Sequence, residues 1–204
     1  MTSILTGLGL AAAAGWNAWA VLLFFHGIFL LQPLEFPGPA APLLSSQPVF
    51  QIALVLFLAE FVIDKVPLLD RFWDLGQTPL RPLVGAALAL SACPPSGPLA
   101  LAGIAAGGAA ATLAAHMVKS TTRLTSTAAT RGFAQFALSL AEDVVALVLA
   151  TLAFFVPWFS AILLAGLAVL LVTHRREVAR AVRVLFFQLQ HPRRALRAAA
   201  GKSA

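Results

Sequence analysis

The sequence predicts an all-α polytopic membrane protein: a transmembrane helical bundle of about six spans over residues 1–173, followed by a basic amphipathic cytoplasmic tail over 174–204. Three observations predict it. Of 204 residues, 60% are hydrophobic and 11% charged, against roughly 25% charged in an ordinary soluble domain. Several apolar runs approach the roughly 20 residues that a helix rising about 1.5 Å per residue needs to cross hydrocarbon. Eight of the fourteen Lys and Arg residues crowd between Arg175 and Lys202, so the net charge of +6 points to anionic lipid headgroups at the tail and not to nucleic acid. The single cysteine, Cys93, excludes an intramolecular disulfide and a cysteine metal cluster.

The first apolar run, about 4–31, has no basic segment before it, which argues for a retained helix and against a cleaved leader. Gly15, Trp16 and Asn17 interrupt its Ala/Leu run. A break there would free backbone carbonyls, although an unbroken helix with Asn17 bonded to a neighbour is the commoner arrangement. The second run, about 48–66, carries Glu60 and Asp64, four apart and so on one face, with Lys65 rotated about 140° away. The third, about 80–92, is short enough to be a span or a re-entrant segment. In the fourth, about 98–118, Gly103 and Gly107 predict a close-approach face, and Gly108, Thr112 and His116 a polar row.

The fifth run, about 132–155, places Gln135, Ser139 and Asp143 at four-residue intervals with Glu142 alongside, a polar stripe that should face protein or water. The sixth covers about 158–173. Beyond it Val178, Val182, Leu185 and Leu189 share one face, while Arg176, Arg180 and Arg183 lie elsewhere, the pattern of a helix in the membrane surface that Pro192 ends.

Charge predicts orientation. With six spans, Lys65, Arg71, Arg81, Lys119, Arg123, Arg131 and the whole tail fall on one side, and the Pro/Gly/Ser-rich loops of the other side hold no Lys or Arg. The positive-inside rule then expects a bacterial inner membrane protein with both termini cytoplasmic.

Glu60, Asp64, Glu142 and Asp143 are expected in the same half of the bilayer, where they cannot all stay ionised without partners. Three arrangements satisfy them. They can share a cation such as Na⁺, Mg²⁺, Ca²⁺ or Mn²⁺, a tentative metal site; relay protons; or pair with Lys119, Arg123, Arg131 or Lys65. Asn17 and His116 are candidate contributors to the same ion or proton pathway. Asp70, Asp74, Arg81, Lys119 and Arg123 are candidates for an interfacial approach to it.

The stretches "GWNAWAVLLFFHGI", "AEFVIDKVPLLDRFWDLGQTPLRPLVGA" and "SLAEDVVALVLA" together resemble a family of bacterial integral membrane proteins grouped as domain of unknown function 4126. The acidic block of Glu60, Asp64, Lys65, Pro67, Asp70 and Asp74, followed by Arg81 and Pro82, is the specific part; Ser139, Glu142 and Asp143 are the second. Trp19 stands where the family pattern often has Tyr, and "TSTAATRGFAQF" replaces its Ser-Asn segment. The resemblance implies a membrane protein whose acids matter, and no activity.

The residues favour a small transporter or channel for a cation or proton-coupled substrate, with no catalytic residues assigned. A metal-dependent enzyme on lipid headgroups is the first alternative, against which stand the absent nucleophile elbow, "HExxH" and Gly-rich phosphate loop. A scaffold held by structural ion pairs is the second. Short helices leave little room for an enclosed pathway within one chain, which makes a homo-oligomer plausible.

Overall fold

The computed structural model describes residues 2–63, 73, 76–126, 133–173, 175–176, 179–180 and 183, with side chains placed for 4–63, 73, 76–120, 136–173 and the same tail positions. These residues form eight α-helices and no strand: α1 Thr2–Ala14, α2 Ala18–Leu31, α3 Ala41–Leu44, α4 Gln47–Ile63, α5 Leu80–Ala92, α6 Pro98–Ser126, α7 Phe133–Phe155 and α8 Pro157–Thr173, with one 3-10 turn at Pro33–Glu35. Pro98 and Pro157 stand at the first position of their helices, and Pro42 and Pro48 in a first turn, where a proline lacks no bond the helix would make and its φ is already helical.

The expected single span over 4–31 is instead a helical hairpin. α5 serves as a ruler. A side chain at Gly7 would meet Ala89 and Ala92, near the end of α5; Gly15 O receives Arg81 Nη1 at 3.0 Å, from its start; and Gly38 N donates to Ser91 O at 2.9 Å, back at the end. The chain therefore descends along α1, turns at Gly15–Asn17 and returns along α2. Two features of the sequence make the turn. Gly15 lies so close to Thr112, Ala115 and His116 that a Cβ would collide with them. Asn17 is extended, with φ −147° and ψ 104°, and its Oδ1 accepts from Ala20 N at 2.9 Å, capping α2, a bond worth about 1 kcal/mol.

Leu10 to Ala14 are 0–1% exposed, because α1 occupies the middle of the bundle, against α5, α6, α7 and α8. Alanine makes that position possible, since small side chains let neighbouring backbones approach. α6 is tied to α1 by Thr112 Oγ1, which donates to Ala11 O at 2.5 Å. The α5–α6 crossing is closest at Gly85 and Gly108, not at the expected Gly103 and Gly107: a Cβ on Gly103 would meet nothing within 4 Å, and one on Gly107 only Leu8. Gly103 sits on an outward face, while Gly108 belongs to the polar row, which is the row facing the bundle.

The helix ends sort into two groups. Thr2, Leu31, Gln47, Ala92, Pro98, Phe155 and Pro157 lie toward a proline-rich end; the Gly15–Asn17 tip, Ile63, Leu80, Ser126, Phe133 and Thr173 lie toward a basic end. At the proline-rich end Phe36 packs on Phe25 and Phe154, with ring centroids 4.6 and 5.7 Å away. Ser160 lies against Gly9 and Leu167 packs with Ala11 and Ala12, so α8 runs parallel to α1. Thr2 and Thr173 consequently lie at opposite ends of the bundle, against the expectation of both termini on one side.

Polarity is inverted relative to a soluble domain. Asn17, Glu60, Arg81, His116, Lys119, Glu142 and Asp143 are buried, while Val55, Leu58 and Val62 of α4, Val144 and Val148 of α7, and Ile162, Val169 and Val172 of α8 are exposed. Apolar outside and polar inside is the arrangement of lowest free energy in lipid. Segments 98–120 and 136–155 are each long and apolar enough to cross a membrane. Exterior and length together support a helical membrane protein.

Candidate functional site

A helix that stops inside apolar surroundings leaves its last carbonyls unsatisfied, and its negative dipole end attracts cations. At the C-terminal end of α1 both needs are met by basic side chains. Arg81 Nη1 donates to Gly15 O at 3.0 Å and to Trp16 O at 3.4 Å; Lys119 Nζ donates to Trp16 O at 2.6 Å. The positive start of α2 faces the opposite charge: Asn17 Nδ2 donates to Asp143 Oδ1 at 2.8 Å. The break thus fixes the sign of the charges around it.

Those cations in turn organise the acids. Arg81 Nη2 meets Glu60 Oε1 at 3.2 Å and Gln77 Oε1 at 3.3 Å. Lys119 Nζ lies 3.3 Å from Glu142 Oε2 and 3.9 Å from Glu60 Oε1. The four ion-paired residues, Arg81, Glu60, Lys119 and Glu142, are 1–3% exposed at their side chains. In such surroundings the charges are costly unless paired and hydrogen-bonded, and here they are both. Four helices and the hairpin tip meet at this centre: α4 through Glu60, α5 through Arg81, α6 through Lys119, α7 through Glu142 and Asp143.

Of the acids expected together, Glu60, Glu142 and Asp143 do converge, and between Glu60 and Glu142 lies the ammonium of Lys119. Among the described residues no three His, Cys, Asp or Glu side chains gather as a metal site. Asn17 joins the centre directly. His116 is 1% exposed, its Nε2 3.4 Å from Thr78 Oγ1, one helical turn from Lys119. Ser139 is buried on the stripe with Glu142 and Asp143, while Leu140 and Val144 are exposed, so that stripe faces protein as its spacing predicts. Asp64, Asp70, Asp74, and the side chains of Arg123 and Gln135, lie outside the described residues.

Arg81 and Lys119, candidates for the interfacial approach, are each 1% exposed and belong to the centre itself. The signal was present for Lys119: the row of Gly108, Thr112 and His116 continues three residues on to Lys119, on the same helix face. The carbonyls of Gly15 and Trp16 carry no signature of their own, because every residue has one; only the break makes them available.

The family model for the domain of unknown function DUF4126 matches residues 4–177. The chain belongs to the DUF4126 family. The matched segment contains the hairpin from residue 4 on, all four helices of the charged centre and the start of the tail, so the centre lies within the DUF4126 domain. No curated protein and no solved structure matches the chain.

Proposed function

We propose that this DUF4126 protein is a multi-pass transporter or channel of the bacterial inner membrane, for a cation or a proton-coupled substrate, working through the charged centre at the hairpin tip. The observation that carries this is the interrupted helix: Gly15 O and Trp16 O are met by Arg81 and Lys119, with Glu60 and Glu142 behind them. Discontinuous helices of transporters bind substrates and coupling ions with such freed carbonyls and dipole ends. Lys119 spans acids from two helices, so a proton or cation reaching either carboxylate shifts Lys119 toward the other, which ties binding to a change in helix contacts. Lys and Arg are absent from the loops of the proline-rich end, so the basic end faces the cytoplasm. The hairpin then dips in from the opposite side, and the Arg-rich tail meets anionic headgroups.

The test is flux in proteoliposomes under gradients of Na⁺, K⁺, Mg²⁺, Ca²⁺, Mn²⁺ and protons, comparing wild type with Glu60→Gln and Asp143→Asn. Wild type passes one of these and both folded variants lose it; unchanged flux in both variants sinks the proposal.

A second reading has its own observation. Arg81 is held by protein acceptors on three sides, Gly15 O, Glu60 and Gln77, which also suits a scaffold whose ion pairs only lock the bundle. In that case no ion moves, and exchanging the charges of Arg81 and Glu60 together restores the melting temperature that each single change lowers.

A further inference from the structure

Trp19 and His26 are seven residues apart on α2, two helical turns and therefore on one face, about 10 Å apart along the axis. Both are more than nine-tenths buried, at 6% and 8% exposure. Among the described residues, Trp19 Nε1 and His26 Nδ1 have no hydrogen-bond partner. Buried polar nitrogens are nearly always satisfied by protein or by water, so two on one face ask for an explanation. Their face looks onto α4, where the His26 and Phe50 rings lie 4.6 Å apart. On α4 the residues buried along that side are Ala53 and Glu60, seven apart and aligned. The α2–α4 seam therefore carries His26 near the proline-rich end, Trp19 below it, and Glu60 at the charged centre.

The seam is also a peripheral joint. α4 packs chiefly on α2, with α3 at its upper end, and its other side is apolar and exposed at Ile52, Val55, Leu58 and Val62. The polar tie at its lower end is Glu60, to Arg81 and Lys119. Among the described residues α4 is held chiefly by one neighbour and an ionic anchor, so it can part from that neighbour at lower cost than α1, which four helices enclose.

We propose that the α2–α4 seam is a hydrated route along which protons pass from the proline-rich end to Glu60, with His26 and Trp19 as its lining. The inference rests on the transport reading above and names the species and its path. A hydronium at the mouth gives its excess proton to the unprotonated ring nitrogen of His26 and becomes water, the other ring nitrogen releases its own proton to the next water, and the hydronium so formed passes it along the waters to the Glu60 carboxylate; only O–H and N–H bonds form and break. Neutral Glu60 then loosens its hold on Arg81 and Lys119, the two cations that cap the hairpin tip.

The experiment reads water, independently of flux. In a Cys93→Ser background, His26→Cys and Ile52→Cys are exposed to a small water-soluble methanethiosulfonate. His26→Cys reacts at least about tenfold faster than Ile52→Cys, because thiolate forms only where water reaches; equal rates overturn the route. Should His26→Cys fail to fold, hydroxyl-radical footprinting of the wild type oxidises Trp19 well above Phe25, a residue 0% exposed, after correction for intrinsic reactivity; equal protection of the two overturns the route. Labelling without flux in proteoliposomes leaves the seam and removes transport, whereas flux without labelling or oxidation removes the seam alone.

Discussion

Arg81 shows what a single side chain does here. Its guanidinium closes two carbonyls at the end of α1 and holds Glu60 of α4 and Gln77, a fork of donors that a lysine does not reproduce. Arg81→Met takes the donor from Gly15 O and leaves Glu60 to the more distant Lys119 ammonium. It should lower stability by about 3–5 kcal/mol, the usual cost of removing one partner of a buried pair, read as a lower melting temperature in detergent; Arg81→Met with Glu60→Leu should recover most of the loss. A single change that leaves the melting point untouched contradicts the pairing. At this scale the sequence was informative about acids, since Glu60, Glu142 and Asp143 stand out in apolar helices. It was less so about bases, because a lysine or arginine close to a predicted helix end reads as reaching for the interface. For Lys119 the row of Gly108, Thr112 and His116 pointed inward, and α6 continues to Ser126, well past the expected end at 118.

At the scale of elements, position on a helix face decides which small residues matter. Gly108 of α6 faces Gly85 and Ala89 of α5 so closely that a Cβ collides with both. Gly103, five residues earlier and rotated away, has open space around it. Gly108→Val should cost about 1–3 kcal/mol by overpacking, while Gly103→Val should stay within about 0.5 kcal/mol, as surface changes do. Comparable melting temperatures for the two variants would contradict the crossing. Both glycines are plain in the sequence, and a small-xxx-small spacing picks Gly103 and Gly107; the deciding fact, which face α5 covers, belongs to tertiary packing. Helix starts, by contrast, were legible from proline. The boundaries at Leu80–Ala92 and Pro157–Thr173 match or nearly match those expected, since the neighbouring prolines and Cys93-Pro94-Pro95 permit few alternatives.

For the whole molecule, the consequence lies in direction. Hydropathy measures how long an apolar run is, not whether it reverses, so residues 4–31 pass equally for one long span or for two short helices. Gly15-Trp16-Asn17 was the local sign of a break, although an unbroken helix was the commoner expectation; the cap that Asn17 makes came from the structure. That α2 returns to the level of Thr2 required the contacts of Gly7, Arg81 and Gly38 along α5. The reversal changes the parity of the fold. It leaves Ile63, Leu80, Ser126 and Phe133 together at one end while moving Thr2 to the other, and it brings two helix dipole ends, of opposite sign, to the charges that neutralise them.

That reversal is also what places freed carbonyls at the charged centre, so its most direct test is the sidedness of the two termini in intact cells. A reporter at the N-terminus and another at the C-terminus, each active or labelled on only one side of the membrane, should report opposite sides, with the C-terminus cytoplasmic if the proposed orientation holds. Both reporters on the cytoplasmic side would mean that the first segment crosses once, and would contradict the hairpin and the account of the charges built on it.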